Sequence, residues 1–332
     1  MNKINGSIIQ KDLVSILTPC YNGEKLIPRL LDSVLSQDYH SIEMIVVDDG
    51  SQDKSREVIK SYIIKFEQKG YSLTYIYQDN AGQAAAINRG LPLLTGEYIT
   101  WPDCDDFYND SSAISTFVKN LAETDDSVGL ARAEGISLNE KSLLPLTSYE
   151  MKSLGTTFDS LIKGNWCWPP IHYMVKAACI NDMIPNRHIY DADRPQNIQM
   201  FLPLVYKYKC QEINTPLVNV VIRCNSDSHR SKCLEQQMQE YDGLLRIYLN
   251  TLETISMPTQ EKKQYKKIIT SYWLNEKLHI CMQSGKTKEA NKVYSFMRKN
   301  ALKIDKKKLI KLLFLNMSPR LLLCMNIIHS KF

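Results

Sequence analysis

Three carboxylates occur within four positions of one short segment: Asp103, Asp105 and Asp106. Like charges this close repel one another unless a cation lies among them. Because side chains alternate along an extended chain, Asp103 and Asp105 project to the same side. Two carboxylates at a strand end, with room for water and phosphate oxygens, suit Mg²⁺ or Mn²⁺ acting as a Lewis acid. A solvated turn with helix-capping Asp residues is the alternative interpretation.

Two further polar clusters follow apolar runs: "TPCYN" at residues 18–22 and "DDGS" at residues 48–51. A carboxylate at the end of a buried strand can accept hydrogen bonds from a nucleotide base or ribose, although "DDGS" is also a plain glycine turn. The glycine patterns of the two commonest nucleotide-binding loops do not occur in the sequence. A nucleotide would therefore be held by carboxylates and a metal rather than by a glycine-rich loop.

Apolar runs and helical patterns alternate four times through the first 100 residues. Residues 13–17, residues 45–47, "LTYIYQ" and "EYITW" predict strands, and the segments between them have apolar residues at helical spacing. This alternation predicts a doubly wound, mostly parallel α/β sheet flanked by helices. Because ligands bind at the carboxyl ends of such strands, we expect the three polar clusters along one rim.

Beyond residue 150 the pattern is less regular, and from about residue 235 it becomes helical. We therefore predict one domain over residues 1–232 that carries the polar clusters, and a helical C-terminal extension over residues 233–332 with a basic amphipathic tail.

The charge of the 332-residue chain is unevenly distributed. The net charge is +5, but residues 298–332 hold nine Lys or Arg and one acid, so residues 1–297 have a net charge of −3. A nucleic-acid-binding body would carry its basic residues on the folded surface, so nucleic acid is not expected as a partner. A basic tail that meets an anionic surface fits this distribution better.

The nine cysteines show no CxxC pair, the N-terminal segment lacks a signal peptide's continuous apolar run, and no segment has about 18 uninterrupted apolar residues. We therefore expect a protein of the reducing cytoplasm with free thiols and no membrane-spanning helix.

In their order and spacing, "SILTPCYNGEKLIPRLLDSVLSQDYHSIEMIVVDDGSQDKS" and "NAGQAAAINRGLPLLTGEYITWPDCDD" resemble glycosyltransferase family 2, whose members have the GT-A fold. The resemblance is dense over residues 12–110 and looser over residues 110–230. It implies inverting transfer of a sugar, hexosyl or N-acetylhexosaminyl, from a nucleotide diphosphate donor, usually UDP-linked, to an acceptor hydroxyl. The resemblance is to members of the bacterial surface-polysaccharide type, which implies a role in assembly of a polymer such as O-antigen or capsule.

The resemblance also assigns residues to the donor site by position. In that assignment four residues after the first strand surround the nucleotide base. Asp49 hydrogen-bonds this base, and Asp105 is the direct metal ligand. The positions concerned are Thr18, Pro19, Tyr21 and Glu24 around the base, Asp48 and Asp49 beside it, Gln83 and Asn88 in the donor pocket, and Asp103 near the ribose and metal. A packed loop aromatic is the alternative for Tyr21, and a helix-surface amide is the alternative for Asn88.

An inverting transfer needs a general base, an Asp or Glu on the acceptor side. Many family members carry Glu-Asp before an aromatic residue here, whereas this chain reads "QNI" at residues 196–198, and neither amide can act as a base. Asp191 is the preferred candidate and Asp193 the second. A loop salt bridge with Arg187 or Arg194 is the alternative role for these acids.

His172 follows the aromatic segment "NWCWPPI" and could contact donor or acceptor, although a lone His is more often a structural group.

The tail combines a lysine cluster with two apolar stretches, so residues 303–328 could lie in a membrane interface. Such a contact, peripheral on the inner face of the cytoplasmic membrane, would suit a lipid-linked saccharide acceptor. A helical pair packed on the catalytic domain, or a homodimer contact, is the alternative.

Two other functions compete with glycosyl transfer. A sugar nucleotidyltransferase also uses a nucleotide-binding α/β sheet and Mg²⁺, but its glycine-rich basic loop after the first strand is missing. A degenerate family member acting as a binding subunit is the non-enzymatic alternative, because the Glu-Asp pair is missing.

Overall fold

The computed structural model describes residues 3–4, 7–146, 155–165, 169–190, 195–223 and 233–317. The chain divides into two compact units, residues 1–229 and 230–332. Each unit has its own core and is considered by itself.

The first unit is built on an eight-stranded sheet, preceded by a separate antiparallel pair of two-residue strands. The short pair is β1 (Lys3–Ile4) and β2 (Ser7–Ile8). The sheet strands are β3 (Gln10–Cys20), β4 (Ile42–Asp49), β5 (Ser72–Gln78), β6 (Gly96–Thr100), β7 (Phe107–Tyr108), β8 (Val128–Asn139), β9 (Tyr173–Lys176) and β10 (Lys209–Ile222). The four strands predicted from the sequence are β3, β4, β5 and β6.

The strand order is β5-β4-β3-β6-β9-β8-β10-β7. Strands β5, β4, β3 and β6 are mutually parallel, and β8 is parallel to β10. Strand β9 is antiparallel to both β6 and β8, and β7 is antiparallel to β10. The prediction of a mostly parallel, doubly wound sheet is confirmed, and a short antiparallel strand joins its two parallel parts.

Helices of the first unit cover both faces of this sheet. They are α1 (Ile27–Leu35), α2 (Ser55–Lys69), α3 (Gln83–Gly90), α4 (Ala113–Ala122), α5 (Phe158–Ile162), α6 (Ala177–Met183) and α7 (Gln196–Lys207). Ile16 and Val46 share a buried cluster with residues of α1, α2 and α4. Leu17 and Val47, one position along each strand, instead meet Gly90 of α3, where an added Cβ would lie 2.2 Å from Leu17 Cδ1. Alternation along the strands thus separates the two helix layers.

An aromatic cluster connects the end of β6 to α7. The ring of Phe201 lies 4.9 Å from that of Trp101 and 4.3 Å from that of Tyr173, measured between centroids. Trp101 and Tyr173 are almost completely buried. Because aromatic rings bury the largest apolar areas, this cluster fixes α7 beside the strand end that leads into Asp103.

The second unit is helical: α8 (Leu234–Thr254), α9 (Thr259–Gln283), α10 (Thr287–Lys299) and α11 (Lys306–Met317). Its core includes Leu278, Cys281, Met297 and Leu315, all buried. No helix in the described part of the chain is both long and apolar enough to cross a membrane.

Candidate active site at the carboxyl ends of the parallel strands

The carboxyl ends of three neighbouring parallel strands form the rim on which the predicted clusters lie. Strand β3 ends at Cys20, β4 at Asp49 and β6 at Thr100, three residues before Asp103. Cys20 is paired with Asp48 in the register of β3 and β4. Segments far apart in sequence therefore come to one edge of the sheet, as parallel topology requires.

Asp48 and Asp49 are both buried at the end of β4, with 1% and 4% of their surface exposed. The Asp48 carboxylate accepts hydrogen bonds from the Ser51 backbone N–H, 2.9 Å, and the Tyr75 hydroxyl, 2.6 Å. Buried carboxylates must be hydrogen-bonded, so these contacts keep Asp48 in one orientation.

Asp49 organises the loop that leads into α3. Its Oδ1 accepts from the Gln78 side-chain amide, 2.7 Å, and from the Ala81 N–H, 2.9 Å, and its Oδ2 accepts from the Gly82 N–H, 2.9 Å. The neighbouring Gly50 has φ 79°, and a Cβ there would lie 2.7 Å from the Asn80 backbone nitrogen. The "DDGS" segment is thus a glycine turn that also presents a carboxylate to the loop.

We expect Asp49→Asn to lower the free energy of unfolding by about 2–4 kcal/mol. The asparagine amide would turn an NH₂ group toward backbone N–H donors, leaving buried donors without an acceptor. Urea unfolding measures the change, with Asp79→Asn, an exposed carboxylate of the same loop, as the matched control. Equal stability of the two variants would contradict this role of Asp49.

The loop held by Asp49 is connected to the acidic cluster through Gln83, the first residue of α3. The Gln83 Nε2 donates to Asp103 Oδ1. Asp49 thus holds the Gly82 N–H and Asp103 holds the side chain of the next residue, Gln83, which places the three residues in one row along the rim.

Asp105 and Asp106 contact the end of β10. The Asp105 Oδ2 lies 2.7 Å from Arg223 Nε, and Asp106 Oδ1 accepts from the Val221 N–H at 3.0 Å. Burial, and then the charges of Asp105 and Asp103, hold the pKa of Asp106 well above its ordinary range. Asp106 is 3% exposed, which suits a residue that orients its neighbours, whereas the Asp105 side chain is 14% exposed.

The residues at the rim suit a divalent cation whose remaining coordination positions are filled by water and a bound substrate. Among the described residues, no group of three or more His, Cys, Asp or Glu side chains forms a metal site by itself. Mg²⁺ in such sites commonly has one or two carboxylates and takes its other oxygens from water and substrate phosphates. Asp105 and Asp103, two carboxylates at one strand end, match that donor set.

The first polar cluster divides into supporting and exposed residues. Thr18 and Pro19 are buried inside β3, and no hydrogen-bond partner for Thr18 Oγ1 is found among the described residues. Tyr21 is 52% exposed, so it is not a packed loop aromatic. Glu24 Oε2 accepts from the Lys54 N–H at 3.0 Å and thereby ties this loop to the start of α2.

Asn88 positions a distant backbone segment. Its Nδ2 donates to the Ile189 carbonyl, 2.7 Å, and its Oδ1 accepts from the Ile189 N–H, 2.8 Å, across 101 positions in sequence. Both ends of the amide hold Ile189, two residues before Asp191, so Asn88 is not a plain helix-surface amide.

The candidate bases, Asp191 and Asp193, lie in the segment 191–194 outside the described residues. Beyond that segment Gln196 and Asn197 are both buried, and Asn197 Oδ1 accepts from Trp101 Nε1 at 3.3 Å. Residues on either side of 191–194 are therefore attached to other elements, Ile189 to α3 and Asn197 to Trp101 beyond the end of β6.

Arg187, an alternative partner for these acids, donates its Nε to Asn181 Oδ1 at 2.6 Å and its Nη1 to the Leu94 carbonyl at 2.5 Å. Its contacts are structural.

His172 is completely buried, so it lines no open pocket. Its Nδ1 lies 2.8 Å from the Ala133 carbonyl and, as the donor, fixes the neutral tautomer. Burial lowers the pKa of His172 from 6.5 to about 4, and the charge of Arg132 acts in the same direction.

This shift predicts acid sensitivity. The folded-state pKa lies below the unfolded value, so the unfolded chain binds the extra proton first and stability is lost as the pH falls from 6.5 toward 4. Between pH 7 and pH 5 we expect His172 to account for about 2 kcal/mol of lost stability. Urea unfolding at both pH values checks it: the loss should be smaller in His172→Gln, and an identical loss would contradict the assignment.

Two contributors to the rim were not predicted from the sequence. Arg223 directly follows the apolar strand β10, and Tyr75 lies on β5 next to Asp48. A charged residue that closes an apolar run was the only local signal for Arg223.

The chain is similar in sequence to known glycosyltransferases. The sequence model of glycosyl transferase family 2 matches residues 15–175. GlyA, a glycosyltransferase of Streptococcus pneumoniae serotype 4, is 38% identical over 112 residues, which cover 34% of this chain and 15% of GlyA. An uncharacterised glycosyltransferase of Rickettsia typhi is 26% identical over 315 residues, covering 87% of this chain and 97% of that protein.

Solved structures show the same fold at low identity. Residues 1–349 of S. aureus TarS in complex with UDP-GlcNAc superpose with a TM-score of 0.57 at 18% identity, over 78% of this chain and 72% of that one. The mannosyltransferase PcManGT from Pyrobaculum calidifontis, in complex with GDP-Man and Mn²⁺, gives a TM-score of 0.56 at 15% identity, over 86% and 75%. The predicted GT-A fold is confirmed. Residues 15–175 therefore match a glycosyltransferase family 2 domain, and the fold of the chain is that of GT-A glycosyltransferases.

Proposed function

We propose that the protein is an inverting glycosyltransferase that moves a sugar from a nucleotide diphosphate donor, a UDP-sugar in the first instance, to a hydroxyl of a saccharide acceptor. The observation that carries this proposal is the row formed by Asp49, Gln83 and Asp103 at one sheet rim. In the proposal Asp49 serves the base and Asp103 the ribose and metal, and their position at the carboxyl ends of parallel strands, where ligands of such sheets bind, supports these roles.

In this proposal the donor lies along the rim. Tyr21, exposed directly after β3, offers its ring to the base, while Asp49 and the loop it organises bind the base and ribose. Asp103 and Asp105 would hold Mn²⁺ or Mg²⁺, which when bound supplies Lewis-acid neutralisation of the diphosphate leaving group. Asp106 accepts a hydrogen bond from the Val221 N–H and thereby holds the backbone that carries Asp105 in place.

The general base is proposed to be Asp191, with Asp193 as the second candidate. Gln196 and Asn197 cannot remove a proton, and Asn197 is already bonded to Trp101. Asn88 holds Ile189 and the Trp101 contact holds Asn197, so both ends of the short acidic segment are attached beside the rim. A base in this position removes the acceptor's proton as its oxygen attacks the sugar from the side opposite the diphosphate.

The experiment that tests the function is product detection with a panel of UDP-, GDP- and TDP-sugars, with Mn²⁺, with Mg²⁺ and with EDTA. Simple saccharides and lipid-linked saccharides serve as acceptors. We expect metal-dependent turnover of a single donor class, either as transfer or as slow hydrolysis. If every donor stayed intact with every metal and acceptor, the proposed reaction would be wrong.

The acceptor is proposed to be a lipid-linked saccharide of surface-polysaccharide assembly, reached by peripheral contact with the inner face of the cytoplasmic membrane. The cysteines among the described residues are free, in agreement with a reducing compartment. The membrane contact, placed at residues 303–328 from the sequence, is supported by α11. Residues 318–328 lie outside the described part.

Helix α11 has two unlike faces. Leu312 and Leu315 are buried in the helical core, whereas Ile310, Leu313 and Phe314 are 54%, 57% and 43% exposed. These three lie at i, i+3 and i+4, on one stripe of the helix, and the exposed Lys306 and Lys307 stand one turn before them. An apolar stripe with lysines beside it suits an anionic bilayer, where each lysine contributes about 1 kcal/mol.

We expect the triple variant Ile310→Ser, Leu313→Ser, Phe314→Ser to bind phosphatidylglycerol vesicles at least tenfold more weakly, as measured by flotation. The control is Ile64→Ser, an exposed apolar residue of α2. Flotation of the triple variant equal to that of the unmodified protein would contradict the membrane contact.

A further inference from the structure

The cation found beside Asp105 is part of the chain itself. Arg223 Nε lies 2.7 Å from Asp105 Oδ2, and the two side chains are 32% and 14% exposed. Asp105 is also the residue proposed to bind the metal. The Arg223 guanidinium and the proposed metal would therefore compete for the same carboxylate.

The position of Arg223 is fixed by strand pairing. Strand β10 runs antiparallel to β7 with Asn219 opposite Phe107 and Val218 opposite Tyr108. Val221 donates its N–H to Asp106 at 3.0 Å, so the ladder brings the end of β10 against the acidic cluster. Arg223 is the first residue beyond β10, and its guanidinium reaches the cluster from there.

A guanidinium and a divalent cation cannot both lie against one carboxylate oxygen without strong repulsion between them. Arg223 holds Oδ2, so a metal that binds through this oxygen displaces the guanidinium, and a metal on Oδ1 alone would still be repelled by its charge. A released Arg223 at this rim would be close to any diphosphate bound there, and the planar guanidinium pairs readily with phosphate oxygens.

We propose that Arg223 occupies the metal-binding side of Asp105 until a nucleotide diphosphate arrives, and then exchanges Asp105 for the diphosphate. The proposal rests on the proposed function, since it needs a metal and a nucleotide at this rim. Its consequence is ordered, cooperative binding: the metal binds weakly alone and well with the nucleotide, and the coupling between the two is reciprocal.

The size of the effect follows from the population of the released state. If Arg223 leaves Asp105 free in about one molecule in ten, the metal's apparent dissociation constant is raised about tenfold. Removing the arginine removes this competition, so the metal should bind tighter by that factor, and UDP should then add less to metal affinity than it does in the unmodified protein.

The test is a titration of the full chain with Mn²⁺, with free Mn²⁺ followed by its EPR signal, in the absence and presence of UDP. For Arg223→Gln we expect Mn²⁺ alone to bind about tenfold tighter than to the unmodified protein, with a smaller gain on adding UDP. Arg223→Lys, which keeps the charge but not the planar fork, should fall between the two.

A control separates this exchange from a general change in charge. The Arg29 guanidinium lies 6.0 Å from the centroid of the Phe107 ring, two positions beyond Asp105. Arg29→Gln should leave Mn²⁺ affinity within about twofold, because it removes a nearby charge but keeps the Arg223–Asp105 pair. An equal gain in Arg29→Gln, or no gain in Arg223→Gln, would overturn the exchange.

Different results would overturn the Arg223 exchange and the proposed function. Normal binding of Mn²⁺ with UDP by the unmodified protein, together with unchanged Mn²⁺ affinity in Arg223→Gln, overturns the exchange and leaves the proposed function intact. Absence of Mn²⁺ binding by every form, with and without UDP, overturns both.

Discussion

Replacing Asp191 by asparagine is expected to lower kcat by about 10²- to 10⁴-fold, because the acceptor hydroxyl would lose the group that takes its proton. Donor affinity should change little, since the base acts on the acceptor side and not on the nucleotide. The measurement is steady-state transfer to a saccharide acceptor, with donor dissociation constants from calorimetry. Asparagine keeps the size and polarity of the side chain, so the loss reports on the proton and not on packing.

Asp193→Asn is the matched control, because it removes an equal charge two positions away in the same segment. We expect it to lower kcat by less than about tenfold. A large loss in Asp193→Asn with little change in Asp191→Asn would transfer the role of base to Asp193. Near-normal turnover in both variants would show that the base lies outside this segment.

Asp105→Asn is expected to reduce kcat/KM by about 10²- to 10³-fold, the loss typical when one group that stabilises the departing charge is removed. An amide is a poor ligand for Mn²⁺ or Mg²⁺ compared with a carboxylate, and raising the metal concentration should restore part of the activity. Initial rates over a range of Mn²⁺ concentrations make this measurement.

Asp126→Asn, an exposed carboxylate remote from the rim in sequence, is the control and should retain full activity. The comparison also addresses the binding-subunit alternative. A catalytically degenerate protein would show no turnover to lose, while Asp105→Asn would keep its interactions with partners. Full activity of Asp105→Asn at low Mn²⁺ would contradict a metal held by this carboxylate.

The sheet could be predicted because parallel strands buried on both faces leave a strong local pattern. Runs such as residues 45–47 are continuously apolar and end abruptly in carboxylates, and β4 begins and ends around that run. The same pattern located the rim, since the polar residues that follow such strands must meet at one edge.

The antiparallel strand β9 was not predicted. It has only four residues, Tyr173–Lys176, directly before α6, and so short an apolar run is ambiguous between strand and helix.

Contacts between distant segments limited the prediction of the site. Asn88 and Ile189 are held together across 101 positions, and Arg223 reaches Asp105 only because β10 is paired with β7. The local sequence does not show which residue each of them contacts, because the partner depends on how distant segments pack and pair. His172 shows the opposite problem: its residue type suggested chemistry, but its complete burial gives it a structural role.

Thermal unfolding of the full chain, with UDP and Mn²⁺ together and with each alone, measures whether this rim binds a nucleotide diphosphate together with a divalent metal. At a ligand concentration of about 100 times the dissociation constant, binding stabilises the folded state by about 2.7 kcal/mol. For a domain of this size that corresponds to a rise in Tm of roughly 5–10 °C with UDP and Mn²⁺ together. The rise should be much smaller with either one alone, and it should disappear in Asp105→Asn. If UDP, GDP and TDP all left the Tm unchanged with Mn²⁺ and with Mg²⁺, the rim would not be a nucleotide-sugar site and the proposed function would be wrong.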